Sequence, residues 1–373
     1  MTDNVKLATI PTLSVDKAVD ILAQMYVASI NEEIPFKKIP SVMLWGPPGV
    51  GKSQGIGQIA GEITEKTGKK VCVTDVRLLL FNPIDLRGIP TSNADKTLAI
   101  WLKPQIFQMD ESPEIINILF LDEISAAPQS VQAAAYQITL DRVIGEHALP
   151  DNCIVLAAGN RTTDKSVAFK MPKALANRLL HIEIEDSFQS WNKWAIKSGI
   201  HPAVTGFLNF RRNYLMQFES SSEELAFATP RSWEMVSNLL NTMSCDIEQI
   251  YPLVAGLVGT GVAVEFRSWI KIYNSLPQIE DIFNGKKPAI PKQTDALYAM
   301  VSSMTDYARS HKDELKRIEN SIEYASLLPP DFTAVLMKDY MYIDKDYKKA
   351  LMTMPAFSRW MEQKGSLLNG INN

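Results

Sequence analysis

The chain has 373 residues, 46% of them hydrophobic, and a formal net charge of −4. That length buries a sizeable core and predicts two or three domains, and the mild acidity removes the general attraction to phosphate backbones that a basic protein carries. The three cysteines, Cys72, Cys153 and Cys245, are too few and too scattered for a disulfide framework and read as reduced, buried thiols of a cytoplasmic protein.

In chain order, MTDNVKLATIPTLSVDK lacks the basic and apolar segments of a secretory signal. Residues 14–31 then place Val15, Val19, Leu22 and Ile30 at helical spacing behind Ser14, a plausible N-cap. Apolar runs follow at 41–46 (SVMLWG), 70–76 (KVCVTDV), 115–123 (IINILFLDE), 153–160 (CIVLAAGN) and 179–186 (LLHIEIED), with helix-like segments between most of them. Continuous apolar runs alternating with helices predict an α/β fold, a parallel sheet covered on both faces. From about residue 187 the strand-like runs stop and helical periodicity takes over. YPLVAGLVGTGVAV, from Tyr251, is too short for a membrane span and reads as a buried helix or a close helix pair around Gly256, Gly259 and Gly261. The Pro-rich stretch 275–295 reads as a linker, and the segment 300–328 as helical.

The chemistry begins at WGPPGVGKSQG, residues 45–55. GPPGVGKS matches G-x-x-x-x-G-K-[ST] and stands between a predicted strand and a predicted helix, the context in which that spacing forms a phosphate cradle. Gly46, Gly49 and Gly51, with Pro47, Pro48 and Val50 between them, turn backbone N–H groups inward, and the helix opening at Lys52, Ser53 and Gln54 adds its positive end. In this pattern Lys52 serves the β- and γ-phosphates of ATP and the Ser53 hydroxyl serves Mg²⁺. At 118–123 the apolar run ILFL delivers Asp122 and Glu123 to a strand end, where Asp122 suits the metal's water shell and Glu123 can polarise an attacking water. Asn160 ends another apolar strand at the same edge, where its amide either orients that water or simply caps a turn. The metal roles therefore fall to Ser53 and Asp122, whereas His147, His181 and His201 lack ligand spacing for zinc.

Two polar turns inside this half read as hairpins. RVIGEHALPDN, at 142–152, turns at Gly145 and Glu146, and residues 82–104 run NPIDLRGIP, TSNADK, TLAIWLK. Trp101 in the latter either meets a partner or packs on its own hairpin.

The phosphate loop, the Asp-Glu strand and the strand-ending Asn resemble, in order and spacing, the AAA+ ATPases. The two hairpins, with DLRGIP, LDEISAAPQSVQAA, AAGNRTTD and TPRSW, resemble the MoxR branch in particular, which holds RavA-like and NorQ/CbbQ-like proteins. The resemblance spans about residues 14–290. It implies an AAA+ core at 1–186 with two hairpin inserts, an α-helical lid at 187–275, and a linker and helical region at 276–373. It also implies that Asn160 is a sensor and that Arg178, in NRLL, is a finger reaching the nucleotide of a neighbouring subunit, with Arg161 as the other candidate for that role. Arg231 is implied as a second sensor, at a helix start capped by Thr229 with Pro230 in its first turn. A homo-oligomeric ring, a hexamer by family expectation, would then remodel or activate a partner protein, commonly one with a von Willebrand factor A domain. A nucleic-acid-dependent motor or loader is the alternative, disfavoured by the acidic balance and the absence of a recognisable DNA-binding module.

Overall fold

The computed structural model describes residues 10–161, 171, 173–218, 224–243 and 247–370. Cys245 and the Thr162–Asp164 part of AAGNRTTD lie outside them. The chain divides into two compact units, Met1–Ser187 and Phe188–Asn373.

The first unit is the expected α/β core. Its strands are β1 (Thr12–Ser14), β2 (Val42–Trp45), β3 (Lys70–Arg77), β6 (Ile115–Asp122), β9 (Cys153–Gly159) and β10 (Leu180–Glu185), paired in the order β1-β10-β2-β9-β6-β3. Every pairing in that sheet is parallel. Between them lie α1 (Val15–Asn31), α2 (Lys52–Thr67), α3 (Pro83–Arg87), α4 (Gln129–Asp141) and α5 (Lys173–Ala176). The period of two along a strand sorts the apolar residues onto two faces. Val42, Leu44, Ile118, Phe120, Ile154 and Leu156 pack with α1 and α2. Met43, Leu119, Leu121, Val155 and Ala157 pack with α4. Both sides are dry, which is why these strands read as unbroken apolar runs rather than alternating ones.

The two inserts are antiparallel hairpins, β4 (Ile89–Ser92) with β5 (Ala99–Leu102), and β7 (Val143–Ile144) with β8 (His147–Ala148). They touch: the His147 ring Nε2 bonds the Trp101 carbonyl at 2.8 Å.

The second unit is helical, comprising α6 (Phe188–Ser198), α7 (Pro202–Phe210), α8 (Pro230–Thr242), α9 (Ile247–Val258), α10 (Thr260–Tyr273), α11 (Ile279–Phe283), α12 (Thr294–Ser310), α13 (Leu315–Ala325), α14 (Pro330–Tyr342), α15 (Lys345–Thr353), α16 (Pro355–Lys364) and α17 (Leu367–Gly370). The run from Tyr251 is the expected helix pair, α9 and α10, joined at Gly259. Phe207 of α7 meets Trp233, Phe266 and Trp269 with ring centroids 5.2–6.0 Å apart, an aromatic centre for α7, α8 and α10. In the stretch read as a linker, Ile282 and Phe283 of α11 are fully buried in the core that α12, α13 and α14 share. No described helix is long and apolar enough to cross a membrane.

One buried acid in this unit sets a pH dependence. Asp339 on α14 is 3% exposed and accepts a bond from Asn192 Nδ2 at 3.0 Å, while Asn209 Nδ2 donates to Asn192 Oδ1 at 3.3 Å. Burial pushes its carboxyl from the ordinary 3.8 up to about 7, against the opposing pull of Asn192 and Lys338. Between about pH 4 and 7 the unfolded chain has released this proton and the fold keeps it, so stability falls as pH rises through that window and stays low above it. Asp339→Asn removes the titration. Its melting temperature should therefore gain on the wild type from pH 5 to pH 8, by an amount equivalent to a few kcal/mol at most; equal differences at both pH values would show that Asp339 does not carry this dependence.

Candidate active site

The C-terminal edge of the parallel sheet gathers most of the predicted residues, because parallel strands deliver their final residues to one side. The strand β2 ends at Trp45, and the Gly46–Gly51 loop turns directly into α2. Two glycines are required here. A side chain on Gly46 would place its Cβ 2.7 Å from the Ile184 carbonyl oxygen, and Gly51, which caps α2, has φ of 106°, a region that side chains disfavour. Pro47 and Val50 are buried, Pro48 and Gly49 half-buried, and Gln54 exposed.

Lys52 reaches across the loop. Its Nζ donates to the Gly46 carbonyl at 2.7 Å, the Pro47 carbonyl at 3.0 Å and Asn160 Oδ1 at 3.2 Å. Ser53 Oγ donates to Asp122 Oδ2 at 3.0 Å, and Asp122 Oδ1 accepts the Glu123 backbone N–H at 2.8 Å. Lys52 with Asn160, and Ser53 with Asp122, thus form two side-chain pairs at one edge from residues spread over 109 positions of the sequence. Glu123 is half-buried, with a left-handed φ of 58° that turns the chain sharply after β6.

Residues 42–185 match the model of the AAA family, the ATPase family associated with various cellular activities. This segment is an AAA ATPase domain. The match covers under half of the chain. No curated protein matches the sequence. Among solved structures, the chain is similar to Caenorhabditis elegans PCH-2 at 12% identity and a TM-score of 0.34, covering 79% of this chain and 69% of the other. A crystal structure described as a putative ATPase from Cytophaga hutchinsonii aligns at 14% identity over 86% and 83% of the two chains, with a TM-score of 0.32. A point mutant of Thermotoga maritima RuvB aligns at 16% identity over 78% and 84%, with a TM-score of 0.34.

The arginines are placed differently from the other residues. Arg178 is exposed and precedes β10, whose first residue, Leu180, pairs with Val42 at the start of β2. The AAA domain therefore holds Arg178 at the end of the sheet opposite its own Gly46 loop, a strand length of roughly 13 Å at about 3.3 Å per residue. Arg161 stays within its own chain, ion-paired with Glu183 of β10. Arg231 belongs to the second unit, where it is exposed in the first turn of α8. The cap there is as expected: Ser232 N–H donates to Thr229 Oγ1 at 3.1 Å, and Pro230 opens the helix.

The sequence reading gave no role to two residues at this edge, Asp75 and Ser125, nor a structural one to His181 near the start of β10. Asp75 lies near the end of β3, and its carboxyl is raised by desolvation and then by the neighbouring Asp122 charge, with Arg77 opposing. A carboxylate closing KVCVTDV was the available signal. His181 accepts from Trp45 Nε1 at 2.9 Å through Nδ1 and bonds the Ala176 carbonyl at 2.7 Å through Nε2, tethering the turn before Arg178. Ser125, 2% exposed, accepts the Asn160 backbone N–H at 2.9 Å. A serine two residues beyond an Asp-Glu pair gives no local sign of that contact.

Proposed function

We propose that the protein is a Mg²⁺-dependent ATPase that works as a homo-oligomeric ring, a hexamer by resemblance, and couples hydrolysis to remodelling or activating a partner protein. The observation that carries this reading is the convergence of Lys52, Ser53, Asp122 and Asn160 at the mouth of the glycine loop. The donor set fits a nucleotide with its cation. An ammonium and a helix N-terminus face the loop, and a hydroxyl lies within bonding distance of a carboxylate whose charge, after desolvation, helps to raise the pKa of Asp75.

In this reading the loop N–H groups and Lys52 hold the phosphates, and Ser53 and Asp122 hold Mg²⁺. The cation supplies charge neutralisation on the phosphate oxygens. Glu123 takes the proton of the attacking water, and Asn160, kept near Lys52 by their 3.2 Å contact, orients that water without adding charge. Arg178 serves the site of the next copy, which its position away from its own loop supports. Arg231 reads the nucleotide as a second sensor, so that turnover moves the helical unit, with residues 187–275 as the lid, and shifts the hairpin inserts. A protein with a von Willebrand factor A domain is the partner class that the MoxR resemblance implies.

Steady-state phosphate release tests this reading. The purified chain should hydrolyse ATP with Mg²⁺ and not with excess chelator, and specific activity should rise steeply with protein concentration as rings assemble. Activity independent of concentration would argue against a shared site. Strong stimulation by DNA would favour the nucleic-acid motor.

A further inference from the structure

We infer that Ser125 is a positioning residue that fixes Asn160 relative to the turn carrying Glu123; the inference rests on the ATPase reading above. Asp122 ends β6 with Glu123 next to it, and Asn160 follows β9, so the proposed base and the proposed water-orienting amide leave the sheet from adjacent strands. Adjacent strands set the backbones side by side but do not lock the residues beyond their last ladder bond. That lock comes from the turn itself. The Ile124 N–H donates to the Ala158 carbonyl at 3.0 Å, and one residue on, Ser125 Oγ takes the Asn160 N–H at 2.9 Å.

Ser125 is held from its other side as well. Gln132 of α4 donates through Nε2 to the Ser125 carbonyl at 3.2 Å and to the Ala127 carbonyl at 2.9 Å, while the Ala126 and Ala127 N–H groups close back on the Glu123 carbonyl at 3.0 and 3.2 Å. The left-handed backbone of Glu123 is thereby over-determined, as such a conformation must be to persist. Packing at the junction leaves no slack. A Cβ built on Gly159, the residue before Asn160, would lie 2.8 Å from Ser125 Oγ and 3.1 Å from its Cβ. One buried hydroxyl therefore joins the turn that aims Glu123 to the residue whose side chain meets Lys52. Its loss leaves the half-buried Asn160 N–H without that acceptor.

Four full-length variants test this: Ser125→Ala, the near-isosteric but weakly accepting Ser125→Cys, Asn160→Ala, and Ser125→Ala with Asn160→Ala. Ser125→Ala should lower kcat roughly 10- to 100-fold, with ADP affinity by calorimetry within about threefold of wild type, as expected of a group that acts through its neighbour. Ser125→Cys should fall between, and it carries the test if the alanine variant fails to fold. The double variant should be no slower than Asn160→Ala alone, because Ser125 works only through Asn160. A normal kcat in the single variants, or losses that multiply in the double, overturns the inference. Amide exchange supplies a readout without turnover: Ser125→Ala should expose the Asn160 N–H selectively while Val155–Ala158 stay protected, and unchanged protection overturns the role. Glu123→Gln separates the two claims. If the wild type does not hydrolyse ATP, the ATPase reading itself falls; if Glu123→Gln still turns over, Glu123 is not the base that the turn aims; if it is inactive while Ser125→Ala is normal, only the role of Ser125 falls.

Discussion

Replacing Glu123 by Gln should reduce ATP turnover by about 100-fold or more while leaving ATP bound. The amide keeps the size of the carboxylate but cannot accept the proton of the attacking water. The rest of the site stays intact, because the link from this residue to Asp122 is its backbone N–H, not its side chain. Lys52, Ser53 and Asp122 keep their partners. Phosphate release measured beside equilibrium binding of a fluorescent ATP analogue checks both halves, with oligomer mass read at saturating ATP. Turnover within a few fold of wild type would remove Glu123 from the role of base and leave Asp122 or Asp75 to be considered. Loss of binding together with turnover would place Glu123 in the structure of the loop instead.

Arg178→Ala should slow hydrolysis on the order of a thousandfold with little change in the stability of either unit. The side chain is exposed, and the register of β10 on β2 holds it at the far end of the sheet from its own phosphate loop. A residue so placed serves catalysis only through another copy. This makes a mixing experiment decisive. Arg178→Ala and Glu123→Gln chains, each inactive alone, should regain part of the wild-type rate when combined, because a Glu123→Gln subunit offers an intact arginine to a neighbour with an intact base. Mixtures as dead as their components would make Arg178 a structural residue of the turn that His181 tethers. Arg161, already ion-paired with Glu183, is a poorer source of the trans-acting charge.

Much of this molecule was legible before its fold was known. The phosphate loop is a local device: eight consecutive residues carry its glycines, lysine and serine, and the flanking run SVML and the helix after it follow from hydrophobic periodicity. The strands β2, β6 and β9 were readable because burial on both faces leaves almost no polar alternation in them, and β3 and β10, nearer the sheet's edges, because their apolar residues still recur along a short run. Both hairpins showed in their turn residues, and the start of α8 in Thr229 and Pro230. The three-residue strand β1 was not readable, since three positions carry too little pattern and their pairing with β10 exists only in the assembled sheet.

What the sequence by itself determined is therefore the set of short-range devices: the cradle, the strand-ending carboxylates and Asn160, the caps and the two turns. Each depends on residues within a few positions of one another, where backbone geometry leaves few choices. Only the tertiary structure decided which of these meet. It joined Lys52 to Asn160 across 108 positions, tied Asn160 back to Ser125, set Arg178 away from its own loop, and buried Asp339 against Asn192 across 147 positions. Strand order and register bring such partners together, and those follow from how the apolar faces of the whole chain pack, a property that no local window contains.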